Sequence, residues 1–139
     1  MERSAVQILV VENYAPLRRK FCTILQEQLE VHVIAEASDG IEAVVKAVEL
    51  QPDLVLLDIG LPGIHGFEVA RQIRIGSPQS RILFVSQEFS AEWVEKAFST
   101  GATGYLLKHD AGNHLLLAVR TVLKGERFVS EDLRGPRIP

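Results

Sequence analysis

The sequence has little cysteine, few aromatic residues and no long hydrophobic run. Cys22 is the only cysteine among 139 residues, which excludes an intramolecular disulfide and a multi-thiolate metal site. The apolar run nearest the N-terminus, from Val6 to Val11, is too short for a signal-peptide core or a membrane span. These absences predict a cytoplasmic protein in a reducing compartment that makes no contact with a membrane.

Neither sign of charge is in large excess. The 15 basic and 18 acidic residues give a formal net charge of −3 at pH 7, and the pI is about 5.8. This balance offers no electrostatic basis for direct binding to nucleic acid or to an anionic membrane. Because 47% of the residues are hydrophobic and the chain is long enough to bury one core, we expect one ordinary globular domain.

Five short apolar runs alternate with five stretches of helical periodicity. This alternation predicts a parallel sheet with helices on both faces. Three runs are uninterrupted, as is typical of strands that are covered on both sides, whereas the second contains His32 and the fifth is short. We therefore predict an α/β fold with a five-stranded doubly wound sheet, strand order 2-1-3-4-5, and the second and fifth strands at its edges. The runs are residues 8–11, 31–35, 54–57, 82–85 and 105–107.

Residues that favour helix ends bracket the periodic stretches. Asp39, Ser90 and Asp110 are predicted N-caps, because their short side chains can accept hydrogen bonds from the first free backbone N–H groups. Gly101 and Gly125 are predicted to end helices.

No linker, low-complexity segment or tandem repeat divides the chain before Gly125. We therefore predict one domain over residues 1–125. Residues 126–139 end in a stretch that contains glycine and proline, and we predict a tail there or the start of a linker to a further domain.

Polar residues follow the predicted strands at the points where they end. Glu12 and Asn13 follow the first strand, Asp58 the third, Ser86 the fourth and Lys108 the fifth. In a doubly wound sheet the ligand site lies beyond the carboxyl ends of the strands, at the switch point between strands 1 and 3. We therefore expect these five side chains to meet in one crevice.

This set of residues suits a phosphoryl group. A carboxylate with a second acid beside it can hold a hard divalent cation such as Mg²⁺ through oxygen ligands. Lys108 can neutralise phosphoryl oxygens, the Ser86 hydroxyl can donate to one of them, and Asp58 can attack phosphorus to form an aspartyl phosphate. The predicted chemistry is the acceptor half of a phosphotransfer.

The same residues resemble those of bacterial two-component response-regulator receiver domains, over nearly the whole chain. The resemblance implies a flavodoxin-like (βα)5 fold. Residues 125–133 are similar to the end of a receiver of the NarL/FixJ, or LuxR-like, type, whose members usually carry a helix-turn-helix DNA-binding domain next. DNA contact is therefore expected only through such a domain, which is missing from these 139 residues. The matching segments are residues 8–13, 56–63 with Gly66, 82–86 and 101–108.

The resemblance implies a role for each matching residue. Asp58 matches the phosphoacceptor, Lys108 the phosphate-pairing lysine, and Glu12 with Asn13 the acidic pair that holds Mg²⁺. The backbone carbonyl of Gly60 matches a further metal ligand beside Asp58 itself.

Ser86 and Tyr105 match the switch pair of the family, in which the hydroxyl moves onto the phosphoryl group and the aromatic ring turns inward. The implied partners are a sensor histidine kinase or a small phosphodonor, and a homodimer is possible. The implied protein is no enzyme in the usual sense but a phosphoacceptor that assists its own phosphorylation and dephosphorylation, with a transcriptional output.

Two departures from the family pattern support an alternative function. Asn13 is an amide where the family usually has a coordinating Asp, and Gln87 is bulkier than the small residue common after the switch hydroxyl. The alternative is a pseudo-receiver that binds proteins without phosphorylation. A third class, an aspartate-nucleophile phosphatase, requires a second Asp two residues after the nucleophile, where this chain has Gly60.

Other residues allow both a structural and a functional interpretation. Cys22 is most simply a packed core residue. The basic run at residues 18–20 is a solvated helix face or a docking site for the kinase. Trp93 is predicted to be exposed near Tyr105, where it would belong to an interface on the fourth helix, fifth strand and fifth helix. The histidines share no ligand spacing and are predicted to lie at the surface; they are His32, His65, His109 and His114.

Overall fold

A computed structural model describes residues 5–130 as one six-stranded parallel sheet with helices on both faces. The strand order is β2-β1-β3-β4-β5-β6, which contains the predicted order 2-1-3-4-5. The α/β class and parallel sheet are therefore confirmed, but the number of strands is not. The strands are β1 Val6–Val11, β2 Val31–Ala37, β3 Leu54–Asp58, β4 Arg81–Ser86, β5 Gly104–Leu107 and β6 Phe128–Val129.

Five α-helices connect the strands and cover the sheet. Successive side chains of each strand point to opposite faces, so one strand contributes to two cores. In β1, for example, Leu9 belongs to the core cluster that includes residues of α2, α3 and α4, whereas Ile8 belongs to the cluster that includes residues of α1 and α5. No helix within residues 5–130 has both the length and the apolar character needed to cross a bilayer. The helices are α1 Ala15–Gln26, α2 Gly40–Leu50, α3 Gly66–Gly76, α4 Ala91–Ser99 and α5 Ala111–Leu123.

The prediction that β5 is an edge strand is wrong. Gly104 pairs with Phe128 and Tyr105 with Val129, so β6 covers the side of β5 that faces away from β4. A strand of two residues leaves no alternating pattern that sequence inspection could detect. Part of the stretch predicted to be a tail or linker therefore packs on the sheet, namely Phe128, Val129 and Ser130. Residues 135–139 lie outside the described part of the chain.

Two of the three predicted N-caps are confirmed. Asp39 accepts a hydrogen bond from the backbone N–H of Glu42, and Ser90 accepts one from that of Trp93. Asp110 makes no such side-chain bond, because a 3₁₀ turn over Lys108–Asp110 leads directly into α5. Gly101 and Gly125 follow α4 and α5, as predicted.

Candidate functional site

The carboxyl ends of β3, β4 and β5 meet at one cavity of about 240 Å³. Asp58 is the last residue of β3, Ser86 the last of β4, and Lys108 directly follows β5. Their strands are adjacent in the sheet, so the ladder brings the three side chains together although they lie far apart in the sequence. The cavity is lined by Asp58, Ile59, Gly60, His65, Ser86, Gln87, Glu88, Trp93 and Lys108.

Lys108 bridges two buried carboxylates. Its Nζ lies 3.2 Å from Asp58 Oδ1 and 3.1 Å from Glu12 Oε1. Glu12 and Asp58 are only 1% and 4% exposed, so each charge would be costly without a partner. One ammonium group therefore holds Asp58 and Glu12 in a single cluster.

Glu12 retains an oxygen that is available to a further ligand. Its Oε2 accepts a hydrogen bond from the Tyr14 backbone N–H at 3.0 Å. Within residues 5–130, Oε1 has the ion pair with Lys108 but no contact of hydrogen-bond geometry. Burial, together with the charge of Asp58, raises the pKa of Glu12 above its usual value, against the opposing effects of Tyr14 and Lys108. A buried carboxylate oxygen with spare lone pairs suits a hard divalent cation.

Asn13 follows Glu12 in the loop between β1 and α1. Its side chain is exposed, and its Nδ2 donates to the Ser38 carbonyl at 3.3 Å, so it ties the β1–α1 loop to the end of β2. Across the described residues no three His, Cys, Asp or Glu side chains are grouped as a metal site. The acidic groups available to a cation are thus the carboxylates of Glu12 and Asp58, which with the Gly60 carbonyl and the Asn13 amide form a weaker set than three acids would.

Glycines shape the loop between β3 and α3. The backbone N–H of Gly60 donates to Asp58 Oδ1 at 3.2 Å, which orients the carboxylate. Gly66 begins α3 against the backbone of Ile59, where an added Cβ would lie 2.5 Å from the Ile59 Cα. A larger residue at 66 would push α3 away from the loop, so this glycine keeps the cavity wall in place.

The predicted switch pair is linked through one backbone residue. Ser86 Oγ accepts a hydrogen bond from the Glu88 N–H at 3.0 Å, and the Tyr105 hydroxyl donates to the Glu88 carbonyl at 2.7 Å. The Tyr105 side chain is fully buried, and its hydroxyl is held by the loop that follows β4. Sequence inspection missed Glu88 because its contribution comes from the backbone, which residue type does not reveal.

Tyr105 makes stability sensitive to alkaline pH. Burial raises the pKa of Tyr105 from 10 to about 12. The unfolded chain therefore loses this proton first, and stability should fall between pH 10 and 12 by up to about 3 kcal/mol. Urea unfolding of the parent and Tyr105→Phe at pH 9 and pH 11 checks this prediction. The phenylalanine variant should lose less stability over that range, and equal losses would contradict it.

An aromatic cluster forms the outer wall of the cavity. The Trp93 ring packs 5.2 Å from Phe67 and 6.0 Å from His65, centroid to centroid. Trp93 is thus half-buried beside the cavity, which corrects the prediction that it is exposed. His65 is exposed as predicted, yet it also caps α3 by accepting the Phe67 N–H at Nδ1.

The basic run on α1 divides into one structural and two exposed residues. Arg18 donates to the Glu12 carbonyl at 2.8 Å and pairs with Glu36 at 3.0 Å, while Arg19 and Lys20 are exposed. A kinase-docking face on α1 would therefore rest on Arg19 and Lys20. Cys22 is buried as predicted, and burial raises the pKa of its thiol to about 11.

Comparison with known proteins shows the family of this chain. Residues 8–120 match the family model of the response regulator receiver domain. The chain belongs to this family. Receiver domains are signalling modules of two-component systems, and phosphorylation in the family generally uses Mg²⁺.

The relatives also confirm the NarL/FixJ type. The oxygen regulatory protein NreC of Staphylococcus aureus is 36% identical over 129 residues, which are 92% of this chain and 59% of NreC. A LuxR-family response regulator from Aurantimonas is 32% identical with a TM-score of 0.88, covering 94% of this chain and 93% of its own. The receiver domain of the putative response regulator NarL from Mycobacterium tuberculosis is 30% identical with a TM-score of 0.84. The match covers 89% of this chain and 100% of that domain. This receiver thus spans 59% of the length of NreC.

Proposed function

We propose that this receiver accepts a phosphoryl group on Asp58 and changes conformation in response. The observation that carries the proposal is the double ion pair of Lys108 with Asp58 and Glu12, at the carboxyl edge of the sheet. A lysine that neutralises the acceptor and the neighbouring acid prepares the site for the extra negative charge of a phosphoryl group.

The geometry favours one oxygen of Asp58 as the nucleophile. Lys108 Nζ and the Gly60 N–H both contact Oδ1. Oδ2 is therefore the oxygen left to attack phosphorus. The Oδ2–P bond forms as the bond from phosphorus to the donor nitrogen or oxygen breaks. The electron pair of the broken bond stays on the donor atom, which is then protonated.

The site fits Mg²⁺ through Glu12, Asp58 and the Gly60 carbonyl, with Asn13 contributing an amide. When bound, the cation would neutralise charge that develops on the transferring oxygens. Lys108 supplies a second positive charge from the side of β5, and Ser86 supplies a hydroxyl donor from β4. The protein's own contribution to phosphorylation is therefore orientation and charge balance rather than turnover of a substrate.

The conformational response runs through Ser86, Glu88 and Tyr105. The Ser86 hydroxyl accepts from Glu88 and still has a proton to donate; a bond from it to a phosphoryl oxygen would pull Oγ toward Asp58 and alter the bond from Glu88. The Glu88 carbonyl also holds Tyr105, so a change at Ser86 reaches β5. Phosphorylation would then shift the population between two arrangements of this loop.

The proposed donor is a sensor histidine kinase or a small phosphodonor, and the proposed output is transcriptional. The similarity to NreC and to LuxR-family regulators supports this assignment, which also implies a cytoplasmic location. A homodimer through α4, β5 and α5 is compatible with the proposal. DNA would be bound by a domain outside these 139 residues.

One observation favours a second candidate, a binding module that works without phosphorylation. Asn13 is exposed and bonded to Ser38, so only two carboxylates remain beside Lys108. A site with a reduced negative charge binds a divalent cation more weakly, and slow phosphorylation would follow.

Intact-mass spectrometry after incubation with acetyl phosphate and Mg²⁺ tests the proposal. The parent should gain one phosphoryl group, and Asp58→Asn should gain none, because an amide cannot form the acyl phosphate. Glu88→Gln serves as the matched control, since it changes an acid at the cavity wall to an amide and leaves the nucleophile. An adduct that persists in Asp58→Asn would place the acceptor elsewhere.

A further inference from the structure

The last described residue of the chain is bonded to the strand that bears both Tyr105 and the residue before Lys108. Ser130 is 2% exposed, and its backbone N–H donates to the Tyr105 carbonyl at 3.0 Å. Its Oγ accepts a hydrogen bond from the Leu107 N–H at 2.8 Å. One serine therefore contacts β5 at the switch residue and at the residue directly before the phosphate-pairing lysine.

The side-chain bond replaces a missing part of the sheet ladder. Because β6 pairs only Phe128 and Val129 with β5, the Leu107 N–H would otherwise point beyond the last paired residue. A buried N–H without an acceptor is costly, and a serine hydroxyl is a standard local substitute for a backbone carbonyl. Ser130 thus determines where the end of β5 is held.

The position of Leu107 matters because of what Lys108 does. Lys108 must keep Nζ within 3.2 Å of two carboxylates, that of Glu12 directly after β1 and that of Asp58 at the end of β3. Its backbone is attached to Leu107 and enters a 3₁₀ turn immediately afterwards. Freedom at the Leu107 amide would therefore be transmitted to the ammonium group and weaken both ion pairs.

The beginning of β6 is anchored separately. Phe128 is buried and its N–H donates to the Thr103 carbonyl at 3.0 Å, while the Arg127 guanidinium lies 4.0 Å from the Phe98 ring centroid. These contacts hold β6 against β5 and α4 without Ser130. Removal of the Ser130 hydroxyl should consequently free the end of β5 without detaching β6.

We propose that Ser130 is a positioning residue for the acceptor cavity, which ties the chain leaving the domain to Lys108 through the Leu107 amide. This inference rests on the proposed phosphoacceptor function. Coupling free energies are reciprocal, so a phosphoryl group that draws Lys108 toward Asp58 must also tighten the Ser130 bond. The exit of the chain would thereby respond to the state of the cavity.

The test uses the full 139-residue chain and three variants. Ser130→Ala removes the acceptor, and Ser130→Thr retains a hydroxyl. Ser80→Ala is the matched control, because Ser80 is also buried and its Oγ donates to the Pro52 carbonyl. Ser80 directly precedes β4, so it lies at the amino-terminal ends of the strands, away from the cavity. Thermal unfolding of all variants measures the general cost of a lost buried hydrogen bond.

The first measurement is the affinity for beryllium fluoride with Mg²⁺, a phosphoryl mimic, followed by the fluorescence of Trp93 at the cavity wall. Affinity should fall about fivefold in Ser130→Ala, the factor expected from the net free energy of one hydrogen bond. Ser130→Thr and Ser80→Ala should bind within about twofold of the parent.

The second measurement needs no phosphoryl chemistry. Peptide mass mapping after brief treatment with acetic anhydride gives the acetylation rate of Lys108 relative to exposed Lys124. This ratio should rise about fivefold in Ser130→Ala and stay unchanged in Ser80→Ala. If the parent does not bind beryllium fluoride, the proposed function fails and the acetylation ratio alone decides the role of Ser130. An unchanged ratio, or an equal rise in Ser80→Ala, overturns the inference.

Discussion

Lys108→Met should lower the free energy of unfolding at pH 7 by about 3 kcal/mol and slow phosphorylation by acetyl phosphate about 100-fold. The stability loss is expected because Glu12 and Asp58 are almost fully buried, and Lys108 is the cation that pairs with both in the described structure. The rate loss is expected because methionine keeps the aliphatic stem and removes the charge that faces the phosphoryl oxygens. Urea unfolding and timed intact-mass spectra provide the two measurements.

Two further variants make this result specific to the cluster. Lys124→Met removes an exposed lysine at the end of α5 and should change stability by no more than about 0.5 kcal/mol. Glu12→Gln combined with Lys108→Met should recover part of the lost stability, since one unpaired buried charge is removed. Parent-like stability and labelling in Lys108→Met would show that the ion pairs do not hold the site.

Asn13→Asp should raise the affinity for Mg²⁺ about tenfold and accelerate phosphorylation. An added carboxylate beside a bound divalent cation would gain Coulomb energy, most of which desolvation and repulsion from Glu12 and Asp58 would offset. A net gain of about 1.4 kcal/mol corresponds to the tenfold change. Titration with MgCl₂ while Trp93 fluorescence is recorded measures the affinity without any phosphodonor.

Gln26→Glu is the control for this gain, because it makes the same change of charge on an exposed residue at the far end of α1. It should leave the affinity for Mg²⁺ within about twofold of the parent. Equal affinities in the parent and Asn13→Asp, with phosphorylation in both, would mean that the amide oxygen of Asn13 already serves as a full ligand. An adduct in Asn13→Asp but not in the parent would favour the binding module over the phosphoacceptor.

The two predictions concern the positive and the negative charges of the same site. Lys108 provides the positive charge that two buried acids require, and Asn13 lowers the negative charge with which the site can hold a cation. Asn13→Asp also removes the Nδ2 donor to the Ser38 carbonyl, whereas Arg18 still holds the Glu12 carbonyl at the end of β1.

The polar residues at the strand ends could be predicted from the sequence only in part. Asp58, Ser86 and Lys108 could be predicted to meet because parallel strands end at one edge, and the structure places them around one cavity. Glu12 joins them only through the Lys108 side chain, at a distance that no spacing in the sequence specifies. Asn13 is expected in the same group, and the structure shows that its amide nitrogen is bonded to the Ser38 carbonyl.

The features that the sequence did not predict, or predicted wrongly, have a common physical origin. Glu88 contributes backbone atoms, and β6 is too short to show periodicity. Trp93 lies where the exposed and buried faces of α4 meet, so only its packing on Phe67 and His65 assigns it to the cavity wall. Each depends on contacts between segments that lie far apart in the chain.

Residue order is enough to predict the alternation of strands and helices, the parallel sheet and the residue types at its carboxyl edge. Those features follow from local periodicity and from the order of elements along the chain. Three features are visible only in the folded protein: Lys108 pairs with two acids at once, Tyr105 is buried against the Glu88 carbonyl, and Ser130 is bonded to the end of β5. These outcomes depend on side-chain rotamers and on pairing between distant segments, which dense packing selects and which residue order alone does not specify.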